Sequence, residues 1–183
     1  MDALFEAIKG GKADEVNRIV REHPESLTAR DANGASPLLL AIYHQKADIA
    51  KALADAAGSI DIFEAAALGR VDRIKQLLRE NPALASSYSP DGFPVVGLAS
   101  FFGHLDAART LIAAGANIHA AATNSLKVQA IHAAVASRNI DIVRAVLEAG
   151  ADPSLKNDEG KTAISLAREK GHAEFANWLE KRR

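Results

Sequence analysis

An alanine followed four residues later by a glycine, or by a residue in the glycine's place, recurs along this chain of 183 residues. The alanines are Ala7, Ala41, Ala65, Ala99, Ala134 and Ala167, at spacings of 34, 24, 34, 35 and 33 residues. The matching breaks fall at Gly11, Gln45, Gly69, Gly103, Arg138 and Gly171. After each break comes a second helical pattern, over 14–22, 47–56, 72–80, 106–114, 141–149 and 173–181. Its apolar residues recur at helical spacing, as in Val16, Ile19 and Val20, or Ile142, Val143, Val146 and Leu147. Residues 91–117 are the clearest copy. A turn signal at Pro90-Asp91-Gly92 leads into a short apolar helix, a break at Gly103-His104, and a second helix that stops at Gly115. Such a unit is apolar on one side and too small to bury that side alone, so it must stack on copies of itself.

Three stretches sharpen the pattern: Ser36-Pro37-Leu38-Leu39-Leu40-Ala41, Gln129-Ala130-Ile131-His132-Ala133-Ala134 and Thr162-Ala163-Ile164-Ser165-Leu166-Ala167. Gly103-His104 and Gly171-His172 mark inter-helix turns, and Ala114-Gly115-Ala116-Asn117 and Ala149-Gly150-Ala151-Asp152 mark exits. In these residues the chain resembles the ankyrin-repeat family, whose period is about 33 residues and whose signature is T-P-L-H-x-A. The resemblance covers essentially the whole chain and, more narrowly, is to stand-alone bacterial ankyrin-repeat proteins. It implies an all-α solenoid of six helix pairs with β-hairpin or turn fingers, and binding of proteins without catalysis. As a single domain over 1–183, the units are 1–30 (an N-terminal cap), 31–58, 59–88, 89–123, 124–156 and 157–183 (a C-terminal cap).

Two units depart from the template. Leu4-Phe5-Glu6-Ala7 and Ile62-Phe63-Glu64-Ala65 are nearly one sequence, 58 residues apart, and both lack a preceding Asp-x-x-Gly turn. Both second helices end on Arg-Glu-x-Pro, at Pro24 and Pro82. The short step from Ala41 to Ala65 corresponds to about ten absent residues, one finger. The finger before the third unit is therefore expected to be missing, with units one plus two and three plus four an internal duplication. A paired hairpin over 58–61 would contradict this.

Local chemistry agrees with the helix-pair reading. Alanine on the first helix lets neighbouring helices approach closely. Glycine after the second helix adopts the left-handed conformation that satisfies orphan carbonyls. Ser36, Gln129 and Thr162 are placed to cap first helices, with Pro37 one residue inside, where its missing N–H costs nothing. Pro94 takes the capping slot of the fourth unit, whose cap must be weaker or come from another group. Leu147 is placed on the inner stripe of its helix.

Composition narrows function mainly by exclusion. A hydrophobic content of 48% is enough for a sizeable core. Net charge is −1, from 22 basic and 23 acidic side chains that are interspersed, so neither nucleic acid nor a membrane surface is an expected partner. The basic Lys181-Arg182-Arg183 end suits the C-terminus of a helix. There is no cysteine, hence no disulfide, thiolate metal site or cysteine nucleophile. The start lacks the layout of a signal peptide and no apolar run reaches a membrane span, which points to the cytoplasm. By the resemblance, His104 and His172 fall in the inter-helix turn and His132 in the T-P-L-H slot, where imidazole bonds nearby backbone, and His23 precedes Pro24 in a loop. His44 and His119 lie off the template, in different repeats, with no partner at i+3 or i+4. A metal or small molecule there is testable by calorimetry with zinc, but no metal, no cofactor and no catalytic group is expected. The serines sit in no nucleophile elbow and no glycine-rich phosphate loop is present.

Stacked repeats make a concave surface of first helices and fingers. The slots facing it, by template position, include Ala32, Asn33, Ala35, Tyr43 and His44; Ala67 and Leu68; Pro90, Asp91, Phe93, Phe101 and Phe102; and Ser125, Leu126, Val128, Ala136 and Ser137. The last unit fills them with charge: Asp158, Glu159, Lys161, Glu169 and Lys170. The candidate protein-binding residues are Tyr43, His44, Leu68, Phe93, Phe101, Phe102, Leu126 and Val128. Exposed apolar and aromatic side chains in one patch mark recognition surfaces. Adjacent helix residues lie about 100° apart, so one of Phe101 and Phe102 is expected to turn inward. The expected function is a scaffold that binds an unidentified protein as a monomer or weak homodimer. The alternative is a structural protein that self-associates through the same patch.

Overall fold

The fold is a computed structural model that describes residues 2–181, so Arg182 and Arg183 of the basic end lie outside it. It divides into two compact units, the first running through Glu64 and the second starting at Ala65. The first holds α1 (Asp2–Lys9), α2 (Ala13–Glu22), α3 (Pro37–Tyr43) and α4 (Ala47–Ala57), and then the beginning of α5 (Ile62–Ala67). The second continues with α6 (Val71–Glu80), α7 (Val95–Phe101), α8 (Leu105–Ala113), α9 (Ala130–Ala136), α10 (Ile140–Glu148), α11 (Ala163–Glu169) and α12 (Ala173–Glu180). Six helix pairs result, as the spacing predicts, and each second helix lies within a residue or so of its predicted span.

Packing follows the repeat. Within the first unit α1 packs on α3 and α2 on α4. Within the second, α7, α9 and α11 form one row, and α6, α8 and α10 the other. The six signature alanines are all buried, none more than 2% exposed. The inter-helix breaks share one backbone conformation, with φ between +55° and +84° at Gly11, Gln45, Gly69, Gly103, Arg138 and Gly171. Gln45 and Arg138 adopt it despite carrying a Cβ.

First-helix caps use the expected residues. The Ser36 hydroxyl accepts from Leu39 N–H at 3.1 Å, and the Thr162 hydroxyl from Ser165 N–H at 3.2 Å. Pro94 caps nothing, and Val95 N–H at the head of α7 donates instead to Ser87 C=O at 3.1 Å.

The fingers are tight turns, and among the described residues the only strand-like pairing is an isolated bridge between Tyr88 and Pro94. Asp31, Ser89 and Asn157 build three of them in the same way. Each donates its N–H to the carbonyl four residues on, and its side chain accepts from that residue's N–H. The fifth finger is wider, with Ala122 N–H donating to Val128 C=O at 2.8 Å. No hairpin occupies 58–61. Gly58 (φ +66°) ends α4 and α5 begins at once, as expected of a missing finger. The short 3₁₀ segments Pro24–Thr28 and Pro82–Ser86 follow α2 and α6 in the same manner, in keeping with a duplicated pair.

One core assignment needs correction. Leu147 is only half-buried and lines a groove of ≈ 360 Å³ with Pro153, Trp178 and Leu179. The inner stripe of α10 is Ile142, Val143 and Val146, all at 1% exposure or less. Ala35 and Ala67, read as facing solvent, are buried at 2% exposure, as a short methyl side chain allows where a longer one would emerge.

Two stability outcomes follow for urea unfolding. Gln45→Gly and Arg138→Gly relieve a left-handed Cβ and stabilise the protein by up to about 1 kcal/mol each. Leu111→Ala, at a fully buried side chain of α8, costs about 2–5 kcal/mol, and Leu147→Ala costs clearly less.

Candidate functional site

Helix α7 carries the centre of the candidate surface. Its residues 95–100 are all buried, and Phe101 is the first to emerge, at 49% exposure. Phe102, which caps the helix, is half-buried. The two rings meet edge to face, with centroids 5.1 Å apart and planes at 89°. Phe101 is thus the more exposed of the two rings.

In the first-helix row, the template position of Phe101 is held by Ala67 in the preceding repeat and Ala136 in the following one. Phe101 therefore stands between two small residues. Leu68, one residue after Ala67, is half-buried. Its loop is pinned by His104, whose Nε2 bonds Ala67 C=O at 3.0 Å. Gly69 must lack a side chain there, since a Cβ would come within 2.5 Å of His104 Nδ1 and its φ is +66°.

The fourth and fifth fingers are bonded side by side. Thr123 N–H donates to Gly92 C=O at 2.9 Å, and Asn124 Nδ2 donates to Asp91 C=O at 3.0 Å. A Cβ on Gly92 would fall 2.7 Å from Thr123 Oγ1, so the join requires glycine on its near side. This places half-buried Phe93 on one finger beside Leu126 (48% exposed) and half-buried Val128 on the next. Lys127, in the left-handed region at φ +45°, reaches Asp158 of the sixth finger at 3.3 Å. Of the remaining candidates, half-buried Tyr43 and exposed His44 close α3 in the first unit. Six of the eight candidates thus share the second unit, on two adjoining fingers and two inter-helix turns. Tyr88, 40% exposed at the base of the fourth finger, is an aromatic residue that the slot pattern missed, because the template assigns that position to the finger's stem.

Of the histidines at template positions, His104 and His132 bond backbone, whereas the buried Nε2 of His172 has no hydrogen-bond partner among the described residues. His132 is 2% exposed. Its Nδ1 accepts from Gln129 N–H at 3.2 Å, which leaves Nε2 to donate to Leu155 C=O at 3.1 Å. Burial holds its pKa below the ordinary histidine range, with the backbone bonds partly opposing. Among the described residues no group of three or more His, Asp or Glu is placed to hold a metal ion, and no helix is long and apolar enough to cross a membrane.

This geometry coincides with a family pattern described as "Ankyrin repeats (3 copies)", which matches residues 62–157 and again 97–182. The chain belongs to the ankyrin-repeat family. Among curated relatives, "Probable E3 ubiquitin-protein ligase XBOS34" of Oryza sativa subsp. japonica is 33% identical over 103 residues, 56% of this chain and 18% of that protein. "E3 ubiquitin-protein ligase hecd-1" of Caenorhabditis elegans is 32% identical over 92 residues, 49% of this chain and 3% of that protein. The chain spans less than a fifth of the length of these relatives, so their names describe proteins that are mostly something else. Ankyrin repeats are in general protein-interaction modules, and the fold is typically non-catalytic.

His132 gives a pH dependence of known sign. Its folded pKa lies below its unfolded one, so the unfolded chain takes up a proton first as pH falls. Its contribution to stability is complete above about pH 6.5 and is lost as pH drops through the folded pKa. The urea midpoint of the wild type should fall between about pH 7.5 and about pH 5.5 by more than that of His132→Gln. Parallel curves would show that the buried imidazole is not the titrating group.

Proposed function

We propose that this ankyrin-repeat chain is a non-catalytic scaffold, of the stand-alone bacterial type and acting in the cytoplasm. It captures a protein partner on its first-helix and finger side, the side that stacking makes concave in this family. The contact is centred on Phe101, with Phe102, Leu68, Phe93, Leu126 and Val128 of the same unit contributing; Tyr43 and His44 are the candidate contacts of the first unit.

The observation that carries this reading is the exposed Phe101 ring. It is braced edge to face by Phe102 at the end of an otherwise buried helix. An aromatic ring already held in place loses little conformational freedom on binding, and such anchors supply a disproportionate share of interface energy. Its backing is rigid as well, because the fingers are tied to each other and the adjoining inter-helix turn is pinned by His104.

Affinity capture from a lysate of the source organism tests the reading. Phe101→Ala should weaken retention of the partner at least about tenfold, the effect of removing a hot-spot anchor. Its cost in stability should stay below about 1.5 kcal/mol, the scale of an aromatic pair. Phe102→Ala should cost more stability. Retention of the same proteins by Phe101→Ala would refute the proposed contact. Sedimentation at two concentrations covers self-association: a dimer that Phe101→Ala dissociates would assign the patch to a second copy of the chain.

A further inference from the structure

Where the third unit lacks a finger, the chain assembles a different fastening. Asp61 is the N-cap of α5, its Oδ1 accepting from Phe63 N–H and Glu64 N–H, each at 2.9 Å. Glu64 reaches back so that its Oε2 accepts from Asp61 N–H at 3.0 Å, completing a reciprocal capping box. Its other oxygen accepts from the Ser36 hydroxyl at 2.7 Å, and that hydroxyl also caps α3 through Leu39 N–H. Two helix starts, 28 residues apart in sequence, are thus joined through one carboxyl group. Thr162, which occupies the Ser36 position of the last unit, bonds Ser165 of its own helix start.

We propose that Ser36, Asp61 and Glu64 form a proton-dependent clasp that fastens the start of α5 in place of the absent finger, and that it holds more tightly with Glu64 neutral than with Glu64 ionised. Glu64 is only 9% exposed. An ionised carboxylate there is compensated by one hydroxyl and one amide, and it faces the Asp61 carboxylate that caps the same helix. The charged group of opposite sign acting on it is Arg30, whose exposed guanidinium is itself bonded to Thr28 C=O and Ala29 C=O. A neutral Glu64 keeps the same partners. The bond to Ser36 reverses: Oε1–H donates to Ser36 Oγ, which has two lone pairs and so still accepts from Leu39 N–H. The Ser36 O–H gives up Oε1 as its acceptor, a loss set against removal of the buried charge. Oε2 continues to accept from Asp61 N–H. The proton comes from solvent, and what it removes is a buried charge and a like-charge contact.

Burial first and the Asp61 charge second hold the Glu64 pKa above the ordinary glutamate range. The bonds from Ser36 and Asp61 and the charge of Arg30 oppose them. The sign is therefore opposite to that of His132. The folded state binds the proton more tightly than the unfolded one, so the contribution is complete below the usual glutamate range and is lost as pH rises through the raised value.

Hydrogen exchange of the Phe63 and Glu64 amides, corrected for intrinsic rates, reads the clasp locally. Wild-type protection should increase several-fold as pH is lowered from about 7.5 to about 5. Glu64→Gln carries a neutral amide able to donate to Ser36 Oγ and accept from Asp61 N–H. Its protection should not vary over that range, and at the upper pH it should exceed that of the wild type. Wild-type protection that follows the same flat course as the variant, or falls, overturns the proposal. A carbon-13 titration of the Glu64 carboxyl in the wild-type protein decides the matter even if the variant does not fold: a midpoint above the usual glutamate range supports the clasp, and one within or below it refutes it.

Discussion

At Ala7, Ala41, Ala65, Ala99, Ala134 and Ala167 each first helix presents only a methyl group to its surroundings, and every one of these groups is fully or almost fully buried. A larger side chain at any of them would push neighbouring first helices apart, and interiors packed at crystal density do not absorb such a displacement. Because the first helices are short and close, the chain must reverse within a few residues to lay the second helix behind them. The reversal is made at one residue with positive φ, four positions after the alanine, in all six pairs. At Gln45 and Arg138 that conformation costs about 1–2 kcal/mol relative to a right-handed one. The fold carries that cost because a break of any other shape would misdirect the following helix and expose its apolar stripe.

Where a residue required by the template is absent, its hydrogen bond comes from elsewhere. Pro94 cannot cap α7, and Ser87 C=O takes up the Val95 amide. The fifth finger lacks the compact turn of the others, and its loop is held by Thr123 and Asn124 on the backbone of the fourth finger. Ahead of α5 there is no finger, and Asp61 with Glu64 satisfies the helix start. These substitutions share a cause. Unpaired backbone groups at a buried helix end are costly, so each gap in the pattern acquires a local donor or acceptor.

The same comparison shows what could be read from the residues and what could not. Helical spacing and glycine breaks act locally, which is why the six pairs, their boundaries and the missing finger were legible. Leu4-Phe5-Glu6-Ala7 and Ile62-Phe63-Glu64-Ala65 mark the limit. Glu6 is exposed and pairs with Lys9 at 2.9 Å, whereas Glu64 is buried on Ser36. Almost identical local sequence produces opposite environments, because burial is decided by a residue 28 positions away. A signal for the second case was present in the Asp61-x-x-Glu64 spacing of a capping box, which Glu6 lacks. Leu147 illustrates the converse: its helical phase places it beside the inner stripe, but the neighbouring Pro153 and Trp178 leave a groove over it. Phase alone likewise set Phe101 and Phe102 apart without saying which is the more exposed.

In the proposed contact, the shape around Phe101 constrains what a partner must offer. A single exposed phenylalanine on a soluble protein is ordinary and would carry no argument by itself. Here the ring is held by Phe102, and its equivalents in the flanking repeats of the same unit are Ala67 and Ala136. An exposed aromatic side chain at a position held by alanine in both flanking repeats is a knob on the first-helix row. In the proposed contact a knob is matched by a hole, so the complementary surface is a pocket that encloses the ring. A flat partner surface would leave the ring's edges wet and gain little from its burial. The repeat architecture thus supplies both halves of the feature: small residues where helices must approach, and, at one position in the row, a large one that the packing does not need.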